Sequence, residues 1–522
     1  MRFNPFFFTV LIIGVTNLQS QSKIKCDLIG ISSIAFDKSP NIKRNYYAIQ
    51  NAEGELQVQW STFDFKLNSA LSYKNSRLNL YDADPRNQYI DRSLKSNAVD
   101  FSVGLQKRFR TSQIAEVSLK YLYNDSNFPY NAFDQLVGPF FGNHTGVLNF
   151  SLTQPLLRGR GKKVTTTGEQ VANLYIDKNK LDYEFTNSYE ILQIGIAYWN
   201  YYTAFKSLDV YIQNESRVRN VLEMTKELIK ADKKPESDMA QVNADLTNQE
   251  RLTIVARQNL YNARLDLGRA IGLSDEESQQ LGDPISDFPI VTESGYKENI
   301  DKNTLIKKAK DNRGDLKALQ KVTEAVELQY QLAENNLKAQ LDLTGFAYYG
   351  STSVGNGVDK TLSSFVNNQG QDLGAGAKLT FSFALNNNLA KGNYSINKIA
   401  VKDQAVISDN TRRNVDLNVN AALNNLNNSV LILEKAKESM GFHKTAFDNE
   451  QIKFQMGLTT LLNLMLFQER FTFSELEYLS AEQQFSNALI SLRHETGTLV
   501  SKESLDFKII QNAFYTVPNT EN

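Results

Sequence analysis

One arrangement of apolar and polar positions occurs twice along the chain: an alternating stretch leads directly into a very long stretch of helical spacing. In the first copy, Val147-Leu148-Asn149-Phe150-Ser151-Leu152 interleaves apolar and polar residues and closes at Gln154-Pro155-Leu156-Leu157-Arg158-Gly159. Residues from about 165 to 271 then read as helix with one break. In the second copy, Leu373, Ala375, Ala377, Leu379, Phe381 and Phe383 alternate with Gly374, Gly376, Lys378, Thr380 and Ser382, and residues from about 390 to 500 read as helix, again with one break. A period of two needs a sheet face, whereas a period near 3.6 needs a helical seam. Switching between them at matching points in both halves predicts a duplicated unit.

Further alternation lies upstream. Phe63, Phe65, Leu67, Leu71 and Tyr73 face away from Asp64, Lys66, Asn68 and Ser72. Val99, Phe101, Val103 and Leu105 repeat the pattern, as do Val117, Leu119, Tyr121 and Tyr123. Turn chemistry separates these runs at Asp82-Ala83-Asp84-Pro85, and an aromatic stretch occupies Pro129 to Phe141. One apolar and one polar face fits a membrane barrel with lipid outside and water inside. A soluble sandwich of half-buried strands fits the strands equally well.

The helices separate the two. From about 165 to 231 there is no proline, and the only glycines are Gly168 and Gly195. That is on the order of 100 Å of helix at ~1.5 Å per residue, longer than compact domains hold. Tyr189, Leu192, Ile196 and Trp199 keep 3–4 spacing, as do Leu423, Leu426, Val430 and Leu433. Such spacing predicts helices packed side by side as in a coiled coil. The breaks fall at 231–238 and 454–460, where Asp232 and Gly457 are expected to take the left-handed conformation that closes a helix. Gly272 and Gly497 end the return helices, each 40 residues beyond its break residue (232 to 272, 457 to 497).

The predicted organisation is α+β: long antiparallel helical hairpins plus barrel strands in two internal repeats. Residues 1–20 read as a signal peptide and 21–271 as the first repeat, with a polar start and a short helix over Asn41 to Ala52. Residues 272–300, with Asp283-Pro284 and Phe288-Pro289, read as a linker with little regular structure. The second repeat covers 301–500, as helix, strands and long hairpin, and 501–522 is a mixed tail.

Composition changes this picture at one end only. Met1-Arg2 precedes an apolar run from Phe6 to Val15, and Thr16-Asn17-Leu18-Gln19 leads to the small Ser20 before a polar break. That order is the pattern of an export signal, and the run is too short for a spanning helix. Cleavage after Ser20 removes Arg2 and moves the formal charge from −1 to −2. Cys26 is the sole cysteine, so no intramolecular disulfide forms; Lys25 before it opposes lipidation, which wants a small residue there. Near-neutral charge gives no case for nucleic acid. His144, His443 and His494 share no metal-like spacing, Gly159-Arg160-Gly161-Lys162-Lys163 lacks the phosphate-loop spacing, and no nucleophile motif is present. No enzyme, cofactor or metal site is expected.

The organisation resembles the outer-membrane efflux protein family, the TolC-like channels. Leu152-Thr153-Gln154-Pro155-Leu156-Leu157-Arg158-Gly159 looks like that family's strand-to-helix junction, with Gln154, Pro155, Leu156, Arg158 and Gly159 as its marked positions. Leu332-Ala333-Glu334-Asn335-Asn336-Leu337, running into a strand from about Leu341, looks like its helix-to-strand approach. The resemblance implies a homotrimer that completes one β-barrel among outer-membrane lipid, with a helical tunnel in the periplasm. It implies passive conduction, an inner-membrane transporter for energy and a periplasmic adaptor (membrane fusion) protein between the two. On that pattern Asp232, Lys233, Pro235, Asp238, Gly457, Leu458 and Thr460 are the expected tip contacts to the adaptor, and Asn463, Leu466 and Asp238 the candidate gate.

Departures accompany the match. The family usually contributes four strands per protomer, whereas six candidates are present here, and the pair at 99–123 has no place in the family pattern. Well-known members carry acidic residues six and nine positions past the hairpin glycine, where this chain has Asn463 and Leu466, so an aspartate ring is not expected there. The second junction, Leu385-Asn386-Asn387-Asn388-Leu389, lacks the proline of the first. The competing expectation is a periplasmic coiled-coil structural or adaptor protein with a soluble β domain. The cargo is not legible.

Overall fold

The structure is a computed structural model that describes residues 24–128, 141–296, 301–355, 357–366, 371–503, 506–510 and 512–518. The expected signal peptide at 1–20 and most of the aromatic stretch at 129–141 lie outside the described residues.

In chain order the elements are β1 (Ile24–Cys26), α1 (Leu28–Lys38), α2 (Pro40–Trp60), β2 (Phe65–Asn79), β3 (Ser93–Arg108), β4 (Ile114–Ser126) and β5 (Phe141–Pro155). Then follow α3 (Lys162–Thr165), α4 (Thr167–Lys230), α5 (Ser237–Ile271), α6 (Asp275–Gln279), β6 (Leu281–Pro284), α7 (Lys302–Asn312), α8 (Gly314–Asn336) and β7 (Gln340–Val354). The chain closes with α9 (Val358–Val366), β8 (Gln371–Ser382), α10 (Asn388–Gln455), α11 (Leu461–Glu495), β9 (Val500–Glu503) and β10 (Asp506–Ile509). Among the described residues no helix is long and apolar enough to cross a membrane.

Two compact units cut across the two sequence halves. One takes the described residues of Tyr47–Asp182 and Asp315–Thr411; the other takes those of Met1–Tyr46, Tyr183–Gly314 and Arg412–Asn522. The long helices α4 and α10 each pass from one unit into the other.

The first unit holds a six-stranded antiparallel sheet in the order β2-β3-β4-β5-β7-β8. All six alternating runs enter it, and the unplaced pair at 99–123 forms β3 and β4 between β2 and β5. The register is continuous across every strand: Leu67, Leu105, Val117, Phe150, Ala347 and Ala375 stand opposite one another in sequence. Side chains in one such row share a face, so the rows starting at Phe65, Leu67 and Leu71 build one apolar face. The intervening rows, such as Asn68-Gly104-Ser118-Asn149 and Ser72-Asp100-Leu122-Thr145, build a polar one. The apolar face is bare in a single chain: Leu67, Leu71 and Phe381 are about two-thirds exposed or more (69 %, 74 % and 67 %). On the polar face Tyr348 and Phe346 lie flat over Gly374 and Gly376 of β8, where a Cβ would fall 2.4 and 2.8 Å from the rings. Aromatic rings over cross-strand glycines compensate for the side chain that an edge glycine lacks.

The second unit is organised around Trp199, Tyr198, Tyr201, Ile191 and Ile194 of α4, packed with Leu267 and Ile271 of α5, Ile490 of α11 and Phe514. Three segments there depart from expectation. Leu28–Lys38 forms α1, N-capped by Asp27, in a stretch expected to be polar and mixed. The expected linker carries α6 and β6, and β6 pairs in parallel with β1. The expected tail contributes the β9–β10 pair. The short helix over 41–52 is instead the 21-residue α2, which runs into the sheet unit. Each departure has a tertiary cause: short segments gain their apolar partners from remote parts of the chain, as Cys26 and Leu281 do in the shared core.

Candidate functional site

Two places hold the residues singled out in the sequence. The first is the strand-to-helix junction in the sheet unit. The Leu156 N–H donates to Leu341 O at 2.7 Å and the Arg158 N–H to Ala339 O at 3.3 Å, extending the β5–β7 pairing past Pro155. Arg158 Nε donates to Gln340 Oε1 at 2.9 Å. Gly159 turns the chain with φ of +77°, and its N–H donates to Oδ1 of the buried Asn335 at 2.8 Å. The two segments quoted for the family resemblance therefore meet, one hydrogen-bonding the other.

The β3–β4 turn completes this junction, and nothing in the sequence pointed to it. Ser112, fully buried at φ +85°, accepts from Gln154 Nε2 and from the Gly161 N–H, both at 3.2 Å. Arg110 forms two hydrogen bonds to Glu169 in the first turn of α4, at 2.9 and 3.1 Å. Glu169 also accepts from Trp60 Nε1, and its carboxyl is held below the usual carboxylate range mainly by Arg110. An acid at a helix N-terminus suits the helix dipole. The hairpin that had no place in the family pattern thus clamps the start of the long helix. At the second junction the missing proline is answered by Asn387 at φ +45°, whose side chain donates to Leu337 O at 3.1 Å.

The second place is the pair of hairpin tips in the other unit. The α4 end is closed by Asp232 at φ +56°, with the Asp232 N–H on Ile229 O and the Lys233 N–H on Leu228 O. The α10 end is closed by Gly457 at φ +75°, with the Gly457 N–H on Phe454 O and the Leu458 N–H on Lys453 O. Both are Schellman caps, one built with aspartate and one with glycine. Gly272 and Gly497 close α5 and the α11 end with the same pair of bonds.

The tips touch through Lys234, a residue passed over between Lys233 and Pro235. Its ammonium donates to Thr459 O and stands 5.2 Å from the centre of the Phe454 ring. Thr459 in turn donates to Glu450, which is buried and also receives Lys453; the Thr459 bond is the main cause holding that carboxyl below its usual range. Beneath, Val218, Val221, Phe447, Phe454, Leu461 and Leu464 form a shared core.

Asp232, Lys233, Pro235, Gly457, Leu458 and Thr460 are exposed, while Asp238 is half-buried in the first turn of α5. Thr460 caps α11 by accepting from the Asn463 N–H at 3.3 Å, and the Asn463 amide donates to Thr459 Oγ1 at 3.4 Å. Leu466 lines a cleft of about 230 Å³ with Asp245, Asn248 and Gln249. Deeper, Asn214 accepts from Gln468 and Thr472, both at 2.9 Å, and Arg217 grips Glu475 at 2.8 and 3.0 Å, fastening α4 to α11. Among the described residues no cluster of His, Cys, Asp and Glu is placed to hold a metal ion. The Cys26 thiol is fully buried, and burial pushes it up to about 12.

Neither a family sequence model nor a curated protein sequence matches this chain; the likeness lies in the fold. The Campylobacter jejuni CmeC outer membrane channel superposes with a TM-score of 0.63 at 14% identity, over 90% of this chain and 85% of that one. The chain has the fold of the TolC-like outer-membrane channels. The outer membrane protein VceC from Vibrio cholerae superposes with a TM-score of 0.63 at 12% identity, over 90% of this chain and 96% of that one. The open Neisseria gonorrhoeae MtrE outer membrane channel gives 0.57 at 13% identity, over 90% and 88%. The α+β architecture of long helices with a β-sheet is common to this TolC-like fold and to the present chain.

Proposed function

We propose that this chain is a passive export channel of the outer membrane, serving a tripartite efflux or type I secretion system. The observation that carries the reading is the six-stranded sheet with one bare apolar face, one polar face and two unpaired edges, β2 and β8. Open edges cannot face lipid, because their backbone groups would go unsatisfied there. Three copies joined edge to edge, β8 to β2, close one barrel of eighteen strands (three times six) with the polar face inward. Its apolar band runs from Phe65 to Tyr73, nine residues whose eight steps span about 27 Å along the strand at ~3.4 Å per residue. That suits the ~25 Å band of an outer-membrane barrel once the strands tilt.

The helices of the three copies then form the periplasmic tunnel, and the matched caps at Asp232 and Gly457 support the reading of two internal repeats. Asp232, Lys233, Pro235, Asp238, Gly457, Leu458 and Thr460 present the contact surface for the periplasmic adaptor. Asn463, Leu466 and Asp238 are the gate candidates. An inner-membrane transporter supplies the energy and selects the cargo, so the chain needs no catalytic centre.

The test is purification from outer membranes in detergent, followed by mass measurement in solution and planar-bilayer conductance. Trimers with discrete openings are expected. A water-soluble species that does not conduct overturns the reading in favour of a periplasmic structural protein.

A further inference from the structure

At the end of the sheet away from the junction, α9 lies against the apolar face rather than the polar one. Tyr121, Gly146 and Ser351 share one row of that face, and Tyr123, His144 and Ser353 share the next. These positions carry Tyr, His and Ser where the rows nearer the junction carry Leu, Val and Phe, and α9 packs over their β5 and β7 members. The Tyr121 hydroxyl is 2.7 Å from His144 Nδ1 and 3.2 Å from Thr361 Oγ1, and His144 Nε2 is 3.0 Å from Gly355 O. Ser351 Oγ donates to Ser364 O at 2.7 Å, and the Ser353 and Ser363 hydroxyls are 2.8 Å apart. Phe365 fills the space above Gly146, where a Cβ would sit 2.6 Å from its ring. His144, Ser351 and Ser364 are all buried as a result.

The other side of α9 is apolar and bare. Val358, Leu362 and Val366, four residues apart and so on one stripe, are 78 %, 67 % and 69 % exposed. The helix thus trades a polar patch of the sheet for an apolar outer surface, on the same side of the sheet as the bare face carrying Leu148 and Phe150. In water this exchange gains nothing, since hydroxyls and imidazole would be solvated and the stripe is not. Against hydrocarbon it removes several polar groups from lipid.

We propose that α9 is an interfacial helix that lies on the outside of the barrel with its Val358-Leu362-Val366 stripe in the acyl chains of the outer leaflet. The inference rests on the outer-membrane reading above, which makes the apolar face the lipid face. It assigns the occupant of this surface as lipid rather than solvent or a neighbouring copy.

The test reconstitutes the full-length chain into phosphatidylcholine vesicles with or without acyl-chain bromines, which quench tryptophan on contact. Leu362→Trp is compared with the parent, whose own two tryptophans give the background to subtract, and with Phe150→Trp in the middle of the bare face. Added emission from Leu362→Trp that is blue-shifted and largely lost in brominated lipid is the expected result. Red emission quenched by aqueous iodide overturns the proposal, as does blue emission that neither agent quenches, the mark of contact with another copy. If Phe150→Trp is quenched and Leu362→Trp is not, only the α9 assignment fails; if neither is quenched, the membrane reading fails with it. Val358→Trp repeats the measurement should Leu362→Trp not fold.

Discussion

Asp232 and Gly457 occupy the same position in two different hairpins: each is the left-handed residue whose N–H, with that of its successor, caps the last turn of a long helix. A Cβ at Gly457 would meet nothing within 4 Å, so its requirement for glycine is conformational rather than steric. Aspartate tolerates the left-handed region better than most residues, though less well than glycine. The first tip therefore holds strain that the second does not.

Gly457→Ala should weaken its cap by about 1–2 kcal/mol, the cost of placing an ordinary side chain in this region. Asp232→Gly should instead tighten its own cap by a smaller amount. Hydrogen exchange of the Leu458 and Lys233 amides reads each cap directly, because local opening is measured without unfolding the whole chain. Leu458 should exchange faster in the first variant and Lys233 more slowly in the second. Unchanged rates in both would show that packing under the tips, rather than the cap, sets their order.

Glu482 gives a pH dependence. Burial raises its carboxyl above the ordinary 4.5, with Tyr478, Lys206 and Lys437 opposing the rise. A carboxyl raised on folding favours the protonated form, so its contribution is fullest below 4.5 and is lost as the pH climbs through the raised value. Glu482→Gln should therefore stabilise the protein at neutral pH and leave it little changed in acid. Thermal unfolding of the purified chain at both conditions checks the sign; destabilisation at neutral pH would mean that Lys206 and Lys437 outweigh burial.

The sheet and the caps were legible because their signals are local. Alternation exposes a strand's two faces directly, and the 40-residue spacing from Asp232 to Gly272 and from Gly457 to Gly497 marks helix ends that the structure closes identically. The junction was half legible: Gln154 to Gly159 stood out, but its clamp did not. Ser112 takes a left-handed turn without being glycine, and Arg110 reaches Glu169 across 59 residues, so neither carries a mark in its own neighbourhood. The same holds for β1, three residues long and paired with a strand more than 250 residues away. Leu28–Lys38 has short apolar runs that periodicity cannot assign to helix or strand. Lys234 was invisible as a bridge because its partner, Thr459, belongs to the other hairpin.

Arg493 fastens the end of the chain. It is buried in α11 and donates to Thr516 O at 2.7 Å, Thr516 Oγ1 at 2.6 Å and Val517 O at 2.8 Å. Burial lowers it to about 10, so it still carries its charge at neutral pH. Arg493→Met leaves these acceptors unsatisfied, at about 1–3 kcal/mol for each one that stays buried. The 512–518 segment should then detach and release Phe514 from the core. Faster exchange of the Val517 amide, which donates to Ser294 O at 2.9 Å, is the expected signature; full protection would show that Phe514 alone holds the segment.

Asn335 tests whether the junction acts as one hydrogen-bonded unit. Its Oδ1 is the acceptor for the Gly159 N–H, and the residue is only 8 % exposed. Asn335→Leu keeps the volume but strands that N–H, a cost of about 1–3 kcal/mol. Asn335→Asp keeps an oxygen in the same place and should retain most of the stability. Because Gly159 leads into α4 through Gly161 and the Ser112 bond, the loss should spread: exchange should accelerate at Gly159 and Gly161 together in the leucine variant. In the trimeric channel proposed above, the same variant should assemble less completely, since the junction sets the angle at which sheet and helix leave one another. Acceleration confined to Gly159, with trimer yield unchanged, would reduce Asn335 to a local cap and place the burden of the junction on Ser112 and Arg110.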